Sequence, residues 1–373
     1  MSGPHEAQQP DQARQPEPQG ADAPPVLARR DGRVGHLVLN RPRAINALTM
    51  EMVGLITEQL QEWEADPQVG TIVLTGAGER GLCAGGDIVA LWKDAKAGGR
   101  EAQDFWSAEY RLNAMIDELT TPYVAVMDGI VLGGGIGLSA HGRIRVVTER
   151  SRIGMPETGI GFIPDVGGTY LLSRAPGETG THLALTAGQV GAGDAIALGL
   201  ADRFVPSERL PRLLQALAET PAEEAVDALA EEPPPAPLLP ERSWIDAAYA
   251  GDDAEEIVRR LRETGTEAAD EAAETILTRS PTSVAVTLRA LRSAAGMSLR
   301  EALAQEARLA YHCHASADFV EGVRAQVVDK DRDPRWSPAS LAEVTASQVE
   351  AYFAPIGEHE LTFPDDPHTS TEA

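Results

Sequence analysis

The sequence predicts an α/β domain with parallel strands, followed by a C-terminal α-helical extension. Short apolar runs of strand character alternate with segments of helical periodicity from residue 34 to about residue 206. After the proline-rich run PPPAP at 233–237, only helical segments follow. A chain of 373 residues is long enough for a core domain with such an extension.

Apolar spacing and helix-capping residues define the individual elements. The run VGHLVL at 34–39 has strand character, and Thr49 is a typical N-cap for the helix behind it. Apolar residues recur at helical spacing in that helix, namely Val53, Ile56, Leu60 and Trp63. Further strands are predicted at 71–74, 122–127 and 143–148, with helices that begin near residues 87, 100 and 133.

Composition divides the chain into five parts. The polar tails at 1–25 and 356–373 are expected to be disordered. The α/β core is predicted at 26–218, an acidic and proline-rich connector at 219–245, and the helical region at 246–355.

Charge and apolar content limit the possible functions. The formal net charge of −25 argues against nucleic acid or an anionic membrane as a partner. No apolar run is long enough to span a bilayer, and the N-terminus lacks the apolar segment of a secretory signal, so we expect a cytoplasmic protein. Cys83 and Cys313 lie far apart and are interpreted as buried apolar residues rather than a disulfide.

Several familiar motifs match only in part. The run GAGERG at 76–81 fits a dinucleotide-binding loop, but LCAGGD follows it where a helix is required. GLSAHG at 137–142 misses the nucleophile elbow GxSxG by one residue. The HCH run at 312–314 is predicted on a helix, where the three side chains diverge, so no metal site is expected.

Two glycine clusters each lie between a predicted strand and a predicted helix. They are CAGGD at 83–87 and GGG at 133–135. Each can present a backbone N–H at the positive end of a helix without a side chain in the way. Two such amides that converge on one point form an oxyanion hole, although either cluster alone is also typical of a tight turn.

Three carboxylates are candidates for acid or base chemistry. Glu157 and Asp165 are the only ionisable groups in the apolar, glycine-rich stretch 154–168, which favours raised pKa values; an exposed loop with ordinary acids is the alternative. Glu109 falls within an apolar helical stripe, where a carboxylate is either functional or paired with a partner such as arginine. That stripe consists of Phe105, Leu112, Ile116 and Leu119.

The runs LCAGGDI at 82–88 and MDGIVLGGG at 127–135 resemble the paired signature of the crotonase (enoyl-CoA hydratase/isomerase) superfamily. The resemblance covers about residues 26–205 and implies a crotonase-like core, a superhelix of ββα units. It also implies that the main-chain N–H groups of Gly86 and Gly134 hold the thioester oxygen of an acyl-CoA substrate.

The side chains around this signature favour one branch of the superfamily. Hydratases carry two catalytic glutamates, and the positions that match them here are Glu157 and Gly137, so the second glutamate is missing. Other runs resemble the 3-hydroxyisobutyryl-CoA hydrolase family and extend the likeness to about residue 355. They are EYRLN at 109–113, GGGIGLSAHG at 133–142, MPETGIGFIPDVGG at 155–168, SPTS at 280–283 and DFVEGVRA at 318–325.

The resemblance implies hydrolysis of an acyl-CoA thioester, with 3-hydroxyisobutyryl-CoA of valine catabolism as the substrate. Glu157 would attack the carbonyl or activate a water, and these two routes stay open. Asp165 would position the substrate hydroxyl or the water, and Glu109 would bind the substrate or assist proton transfer. Ala84 and Asp87, beside the first glycine turn, are expected to contact the substrate as well.

Arg43 and Lys330 are candidates to bind the phosphates of coenzyme A. No cofactor is expected beyond the coenzyme A of the substrate, and the resemblance implies a possible homo-oligomer, a trimer or a hexamer. Two other functions stay open: hydration or isomerisation of an enoyl-CoA, and acyl-CoA binding without catalysis.

Overall fold

The computed structural model describes residues 23–364. Within that range ten strands form two sheets, and their bounds are β1 Val26–Asp31, β2 Val34–Leu39, β3 Thr71–Gly76, β4 Gly81–Cys83, β5 Tyr123–Met127, β6 Ile130–Leu132, β7 Ile144–Val147, β8 Arg152–Gly154, β9 Gln189–Val190 and β10 Arg203–Phe204. The α-helices of the core are α1 Met50–Ala65, α2 Ile88–Ala97, α3 Glu101–Glu118, α4 Gly134–Ser139, α5 Gly168–Leu172, α6 Thr179–Thr186, α7 Ala192–Ala197 and α8 Leu210–Glu219.

Eight further α-helices follow in the C-terminal half of the described range. They are α9 Ala222–Asp227, α10 Leu238–Ala248, α11 Ala254–Thr264, α12 Glu267–Leu277, α13 Pro281–Ala294, α14 Leu299–His314, α15 Ala317–Val323 and α16 Ala346–Tyr352. A π-helical turn, Arg324–Val328, extends α15. None of the helices between residues 23 and 364 combines the length and the apolar character needed to cross a membrane.

The larger sheet has six strands in the order β1-β2-β3-β5-β7-β10. Its first pair, β1 and β2, is antiparallel, and all other neighbours are parallel. β5 is buried along its whole length, as expected for a parallel strand covered on both faces.

The smaller sheet has the order β4-β6-β8-β9, with β4, β6 and β8 parallel. Along the chain, β3, β5 and β7 of the larger sheet are each followed at once by a strand of the smaller one. This repeat of two strands and then helical structure confirms the predicted ββα core. Sequence periodicity did not reveal the smaller sheet, because strands of two or three residues are too short to show an alternating pattern.

The C-terminal helices pack directly on the core of the same chain. Helix α14 lies along α3, and α15 packs against α2 and the 3-10 turn Glu157–Ile160. The approach is close at Gly322, where an added Cβ would lie 2.5 Å from the Ile160 carbonyl oxygen. The Ser280 N–H also donates to the Thr158 carbonyl at 3.2 Å. The helical extension therefore helps to hold the turn that carries Glu157.

Two predicted boundaries need correction. The connector predicted at 219–245 contains α9 and most of α10. Its proline and glutamate content concealed an apolar helix face, since Ala222, Ala225 and Val226 are buried against the larger sheet. The disorder expected from residue 356 does not apply to 356–364, because Leu361 and Phe363 are buried in the main core. Residues 1–22 and 365–373, where disorder was also predicted, lie outside the described residues.

Candidate active site

Three short parallel strands bring the predicted site residues to one edge of the smaller sheet. β4 leads into the turn of Gly86, β6 into that of Gly134, and β8 into that of Glu157. Leu132 at the end of β6 is in register with Gly154 at the end of β8. Because the carboxyl ends of neighbouring parallel strands meet at one edge, these turns become neighbours although they are distant in sequence.

The two glycine turns approach each other closely. A Cβ atom built on Gly85 would lie 3.7 Å from the Gly134 amide nitrogen and 3.9 Å from the Gly133 Cα. Gly85 and Gly133 have φ angles of 101° and 49°, in the left-handed region that favours glycine. The backbone conformation accounts for glycine at both positions, and a Cβ on Gly133 would in addition lie only 2.7 Å from Glu157 Oε1.

The amides of Gly86 and Gly134 are available to a ligand. Among residues 23–364, neither N–H has a hydrogen-bond acceptor. The backbone beside Gly86 is fixed by Leu48, whose N–H donates to the Gly85 carbonyl at 2.9 Å and whose carbonyl accepts from the Asp87 N–H at 2.8 Å. Two unpaired amides on adjacent turns are the main-chain groups that an oxyanion hole requires.

Helix α3 covers both glycine turns with one face. Phe105 and Glu109, four residues apart, project from it. A Cβ on Gly86 would lie 3.2 Å from the Phe105 ring, and a Cβ on Gly134 would collide with Glu109 Oε1. Glu109 is 2% exposed, and its Oε1 has no hydrogen-bond partner in the described part of the chain. The apolar stripe therefore correctly indicated that Glu109 is buried. The structure places this carboxylate beside the GGG cluster, and no arginine in the described part of the chain is bonded to its Oε1.

Glu157 and Asp165 are both buried, which excludes the exposed-loop alternative. Glu157 Oε1 lies 2.7 Å from the position that a Cβ on Gly133 would occupy, and its Oε2 has no partner among the described residues. Asp165 Oδ2 accepts a hydrogen bond of 2.9 Å from the Tyr110 hydroxyl on α3. Tyr110 is a contact that sequence reasoning missed, because nothing in its spacing distinguishes it from a core tyrosine.

Burial raises the pKa of all three carboxyl groups. For Glu157 and Glu109, loss of hydration is the largest cause, and the charge of Asp165 adds to it. Burial raises the pKa of Asp165 to about 7, while the hydrogen bond from Tyr110 opposes the rise. Asp165 therefore ionises near neutral pH, and its charge makes both glutamates hold their protons more strongly.

A fourth buried carboxylate, Glu306 on α14, holds the turn that follows Asp165. Its carboxylate accepts from the Gly167 N–H at 2.7 Å and from the Thr169 N–H at 2.9 Å. Between these contacts and Asp165 lies Val166, a β-branched residue with φ of 53°, a conformation that costs on the order of 1–3 kcal/mol. Glu306 thus helps to maintain a strained turn next to a predicted catalytic group.

Sequence reasoning missed Glu306, although the signal that found Glu109 was present. Glu306 lies in an apolar helical stripe of α14 formed by Leu299, Ala302, Leu303, Leu309, Ala310 and Cys313. No sequence pattern indicates its partners, which are 137 and 139 residues away.

We expect Glu306→Gln to lower kcat by about 10- to 100-fold with little change in KM, because the amide places N–H donors against backbone donors and displaces Asp165. Steady-state kinetics measure this effect. Glu301→Gln is the matched control, because Glu301 lies on the same helix and accepts from the Ser298 N–H, but it is exposed. Unchanged kcat in Glu306→Gln would contradict a role for Glu306 in positioning Asp165.

The predicted substrate contacts occupy different places. Ala84 is half-buried in the first glycine turn, where its N–H donates to the Ile45 carbonyl at 3.0 Å. Asp87 forms an ion pair of 3.1 Å with Arg41, a cation that the sequence prediction overlooked. Arg43 is exposed on the neighbouring 3-10 helix.

Lys330 is exposed two residues after the π-helical turn, which itself packs against the 3-10 turn of Glu157. The interpretation of the cysteines is confirmed, since Cys83 and Cys313 are both buried free thiols. The histidines of the HCH run point to different partners: His312 bonds to the Ala354 carbonyl and His314 to the carboxylate of Asp94.

Gly137, where hydratases carry their second glutamate, has no room for a side chain. A Cβ there would lie 2.7 Å from Asn113 Nδ2 and 2.7 Å from Val166 Cβ. Both distances are shorter than a normal van der Waals contact. The departure from the hydratase pattern is therefore built into the packing of α3 against α4.

Comparison with known proteins identifies the class. A model of the enoyl-CoA hydratase/isomerase family matches residues 34–353. The chain belongs to this family, the crotonase family, as the glycine turns and the ββα core indicated.

Within the family, the chain is similar to proteins named 3-hydroxyisobutyryl-CoA hydrolase, mitochondrial. The protein from Xenopus laevis is 42% identical over 346 residues, which is 90% of this chain and 90% of the relative. The human protein is 39% identical over 349 residues, covering 91% of this chain and 90% of the relative. The mitochondrial location in these names differs from the cytoplasmic location that the sequence predicted.

Two solved structures are also similar over nearly their whole length. One is a carnitinyl-CoA dehydratase from Mycobacterium thermoresistibile, 52% identical with a TM-score of 0.89, covering 92% of this chain and 99% of that one. The other is an enoyl-CoA hydratase from Rhodobacter sphaeroides 2.4.1, 42% identical with a TM-score of 0.86, covering 91% of this chain and 100% of that one.

Proposed function

We propose that this enzyme hydrolyses 3-hydroxyacyl-CoA thioesters, with 3-hydroxyisobutyryl-CoA as the preferred substrate. The observation that carries the proposal is the pair of unpaired amides of Gly86 and Gly134 beside the buried carboxylate of Glu157. Similarity to the vertebrate hydrolases over about 90% of the chain supports the choice of substrate.

In the proposed reaction, the amides of Gly86 and Gly134 bind the thioester oxygen as it gains negative charge. Glu157 either attacks the carbonyl carbon, forming an acyl–glutamyl anhydride that water then cleaves, or removes a proton from the attacking water. In both routes the carbon–sulfur bond breaks, the sulfur leaves as CoASH after protonation, and one water is consumed. Hydroxylamine added during turnover tests the choice, since only the anhydride route yields a hydroxamate on Glu157.

The other two carboxyl groups support this assignment. Burial raises the pKa of Asp165 to about 7, so it can accept and release a proton near neutral pH. Glu109 is buried against the Gly134 turn, and burial raises its pKa, which favours the protonated form that can donate a hydrogen bond to the substrate. This division of roles follows from differences in environment between carboxyl groups of similar intrinsic acidity.

A panel of acyl-CoA thioesters tests the proposal, with free thiol as the readout. We expect 3-hydroxyisobutyryl-CoA to have the highest kcat/KM, with isobutyryl-CoA, 3-hydroxypropionyl-CoA and acetyl-CoA as comparisons. Tight binding of CoA with no thiol release from any thioester would instead favour acyl-CoA binding without catalysis.

Hydration or dehydration of an enoyl-CoA is the second candidate, and the names of the two similar structures favour it. The packing around Gly137 argues against a hydratase with two glutamates at the usual positions. Loss of crotonyl-CoA absorbance without thiol release, or dehydration of carnitinyl-CoA, would select this candidate over hydrolysis.

We expect kcat/KM to fall as the pH drops below about 7. The group that attacks or deprotonates must be ionised, and burial raises the pKa of Asp165 to about 7 and that of Glu157 well above its ordinary value. Because the charges of Asp165 and Glu157 interact, the acidic limb of the pH–rate profile describes the ionisation of the two groups together. Measurement from about pH 5.5 to about pH 9 locates the limb, and a midpoint below about pH 5 would contradict the assignment.

We also propose a cytoplasmic location and a trimeric or hexameric assembly. A cytoplasmic location is tested by fractionation of the source cells. A trimer or hexamer is tested by sedimentation of the purified protein.

A further inference from the structure

Asn113 is a buried amide on α3, one helical turn after Glu109. It is 0% exposed. In the described range, eight buried side-chain nitrogen and oxygen atoms have no hydrogen-bond partner, and four of them belong to Glu109, Asn113 and Glu157. The unpaired polar atoms are therefore concentrated around the glycine turns.

Asn113 stands out within this group because both ends of its amide, Nδ2 and Oδ1, are unpaired. Leaving a buried polar group without a partner costs about 1–3 kcal/mol. A leucine of similar shape would avoid that cost at a position where a helix packs against a helix. A ligand that supplies the missing hydrogen-bond partners would explain why an asparagine is present at this position.

The position of Asn113 is next to the reacting groups. Its Nδ2 lies 2.7 Å from the site of a Cβ on Gly137, and the same Cβ would touch Val166, the residue after Asp165. Phe105, Glu109 and Asn113 follow one another along one face of α3, over Gly86, Gly134 and Gly137 in turn. Asn113 thus occupies the space that a side chain at position 137 would need.

The spacing suits a hydroxyl on the second carbon beyond the thioester carbonyl. That oxygen lies about 3–4 Å from the carbonyl carbon, and a hydrogen bond adds about 3 Å. One turn of helix, which separates Asn113 from Glu109, is about 5.4 Å. A hydroxyl is both donor and acceptor, as is the asparagine amide, and a neutral partner adds no charge to a site that already holds three carboxyl groups.

We propose that Asn113 binds the 3-hydroxyl group of the acyl chain and makes the site selective for 3-hydroxyacyl thioesters. This inference rests on the proposed function. It assigns to Asn113 the hydroxyl contact that the sequence prediction had given to Asp165. Asp165 then acts in proton transfer or in positioning the water.

The test compares two thioesters that differ only in the hydroxyl, 3-hydroxyisobutyryl-CoA and isobutyryl-CoA. We expect Asn113→Leu to lower kcat/KM for the hydroxylated substrate by about 10- to 100-fold and to change the other by less than about threefold. Its Tm should stay the same or rise, because the unpaired amide is removed. Asn113→Ala should show the same selective loss if the leucine variant does not fold. Gln103→Leu, which removes an amide from the same helix, should affect neither substrate.

Equal loss on both thioesters, or no loss on either, would overturn the role of Asn113. Failure of the proposed function is a separate outcome: the wild-type enzyme would then release thiol from neither substrate, whatever the behaviour of the variants.

Discussion

Glu157→Gln is expected to lower kcat for thioester hydrolysis by about 10³-fold, because the amide can neither attack the carbonyl nor remove a proton from water. The substitution keeps the shape of the side chain, so KM should change little. Thiol release under saturating substrate measures the loss.

The same variant should be more stable than the wild type at alkaline pH. Burial and the charge of Asp165 raise the folded-state pKa of Glu157 above its unfolded value, so the carboxyl group favours the folded state only while it is protonated. That contribution is lost as the pH rises towards the folded pKa. We expect the Tm of Glu157→Gln at about pH 8 to exceed that of the wild type by about 1–3 °C. A variant that is both inactive and destabilised would indicate a structural role for Glu157.

Gly134→Ala is expected to lower kcat by about 10²- to 10³-fold, the usual loss for one oxyanion donor. The new methyl group would collide with Glu109 Oε1 and lie 3.0 Å from Leu48 Cδ1. Relief of this clash must move either the amide of residue 134 or the Glu109 carboxyl group. Single-turnover thiol release separates this effect from slow product release.

Gly54→Ala is the matched control for that experiment. Gly54 lies inside α1, and a Cβ there has no neighbouring atom within 4 Å. Alanine at this position should leave kcat unchanged and stabilise the protein by about 0.5–1 kcal/mol. If Gly134→Ala kept more than about a tenth of wild-type kcat, the clash would be relieved by movement of the Glu109 side chain, and the amide of residue 134 would stay in place.

The core of the candidate site could be predicted because its chemistry is local in sequence. Gly86 and Gly134 lie in short glycine runs between strand and helix, and Glu157 and Asp165 are isolated acids in an apolar stretch. Helical spacing was enough to identify Glu109 as a buried carboxylate, and the structure places it 2% exposed against Gly134.

Groups that depend on distant partners could not be predicted in the same way. Glu306 bonds to backbone amides more than 130 residues away, and Asn113 acquires its importance only from its packing against Gly137. No local pattern encodes either relation, since each arises when two elements pack against each other. The EYRLN run, which resembles the hydrolase family, includes Asn113, but the resemblance did not suggest a role for this residue.

The fold shows the same division between local and long-range information. The starts of α1 to α4 were predicted closely, because apolar residues and caps define a helix locally; Thr49, for example, caps the helix that follows it. The smaller sheet was missed, although its three-residue strands bring the glycine turns together. That sheet forms because successive strands are placed alternately in two sheets, and no single segment of the sequence shows this alternation.

The most direct test is a crystal structure with a non-hydrolysable thioester analogue, such as an acyl-CoA whose sulfur is followed by a methylene group. We predict that its carbonyl oxygen lies about 2.7–3.1 Å from the amide nitrogens of both Gly86 and Gly134. The Glu157 carboxylate should lie about 3–3.5 Å from the carbonyl carbon or from an intervening water. A carbonyl bound away from either amide, or out of reach of Glu157, would contradict the proposed site.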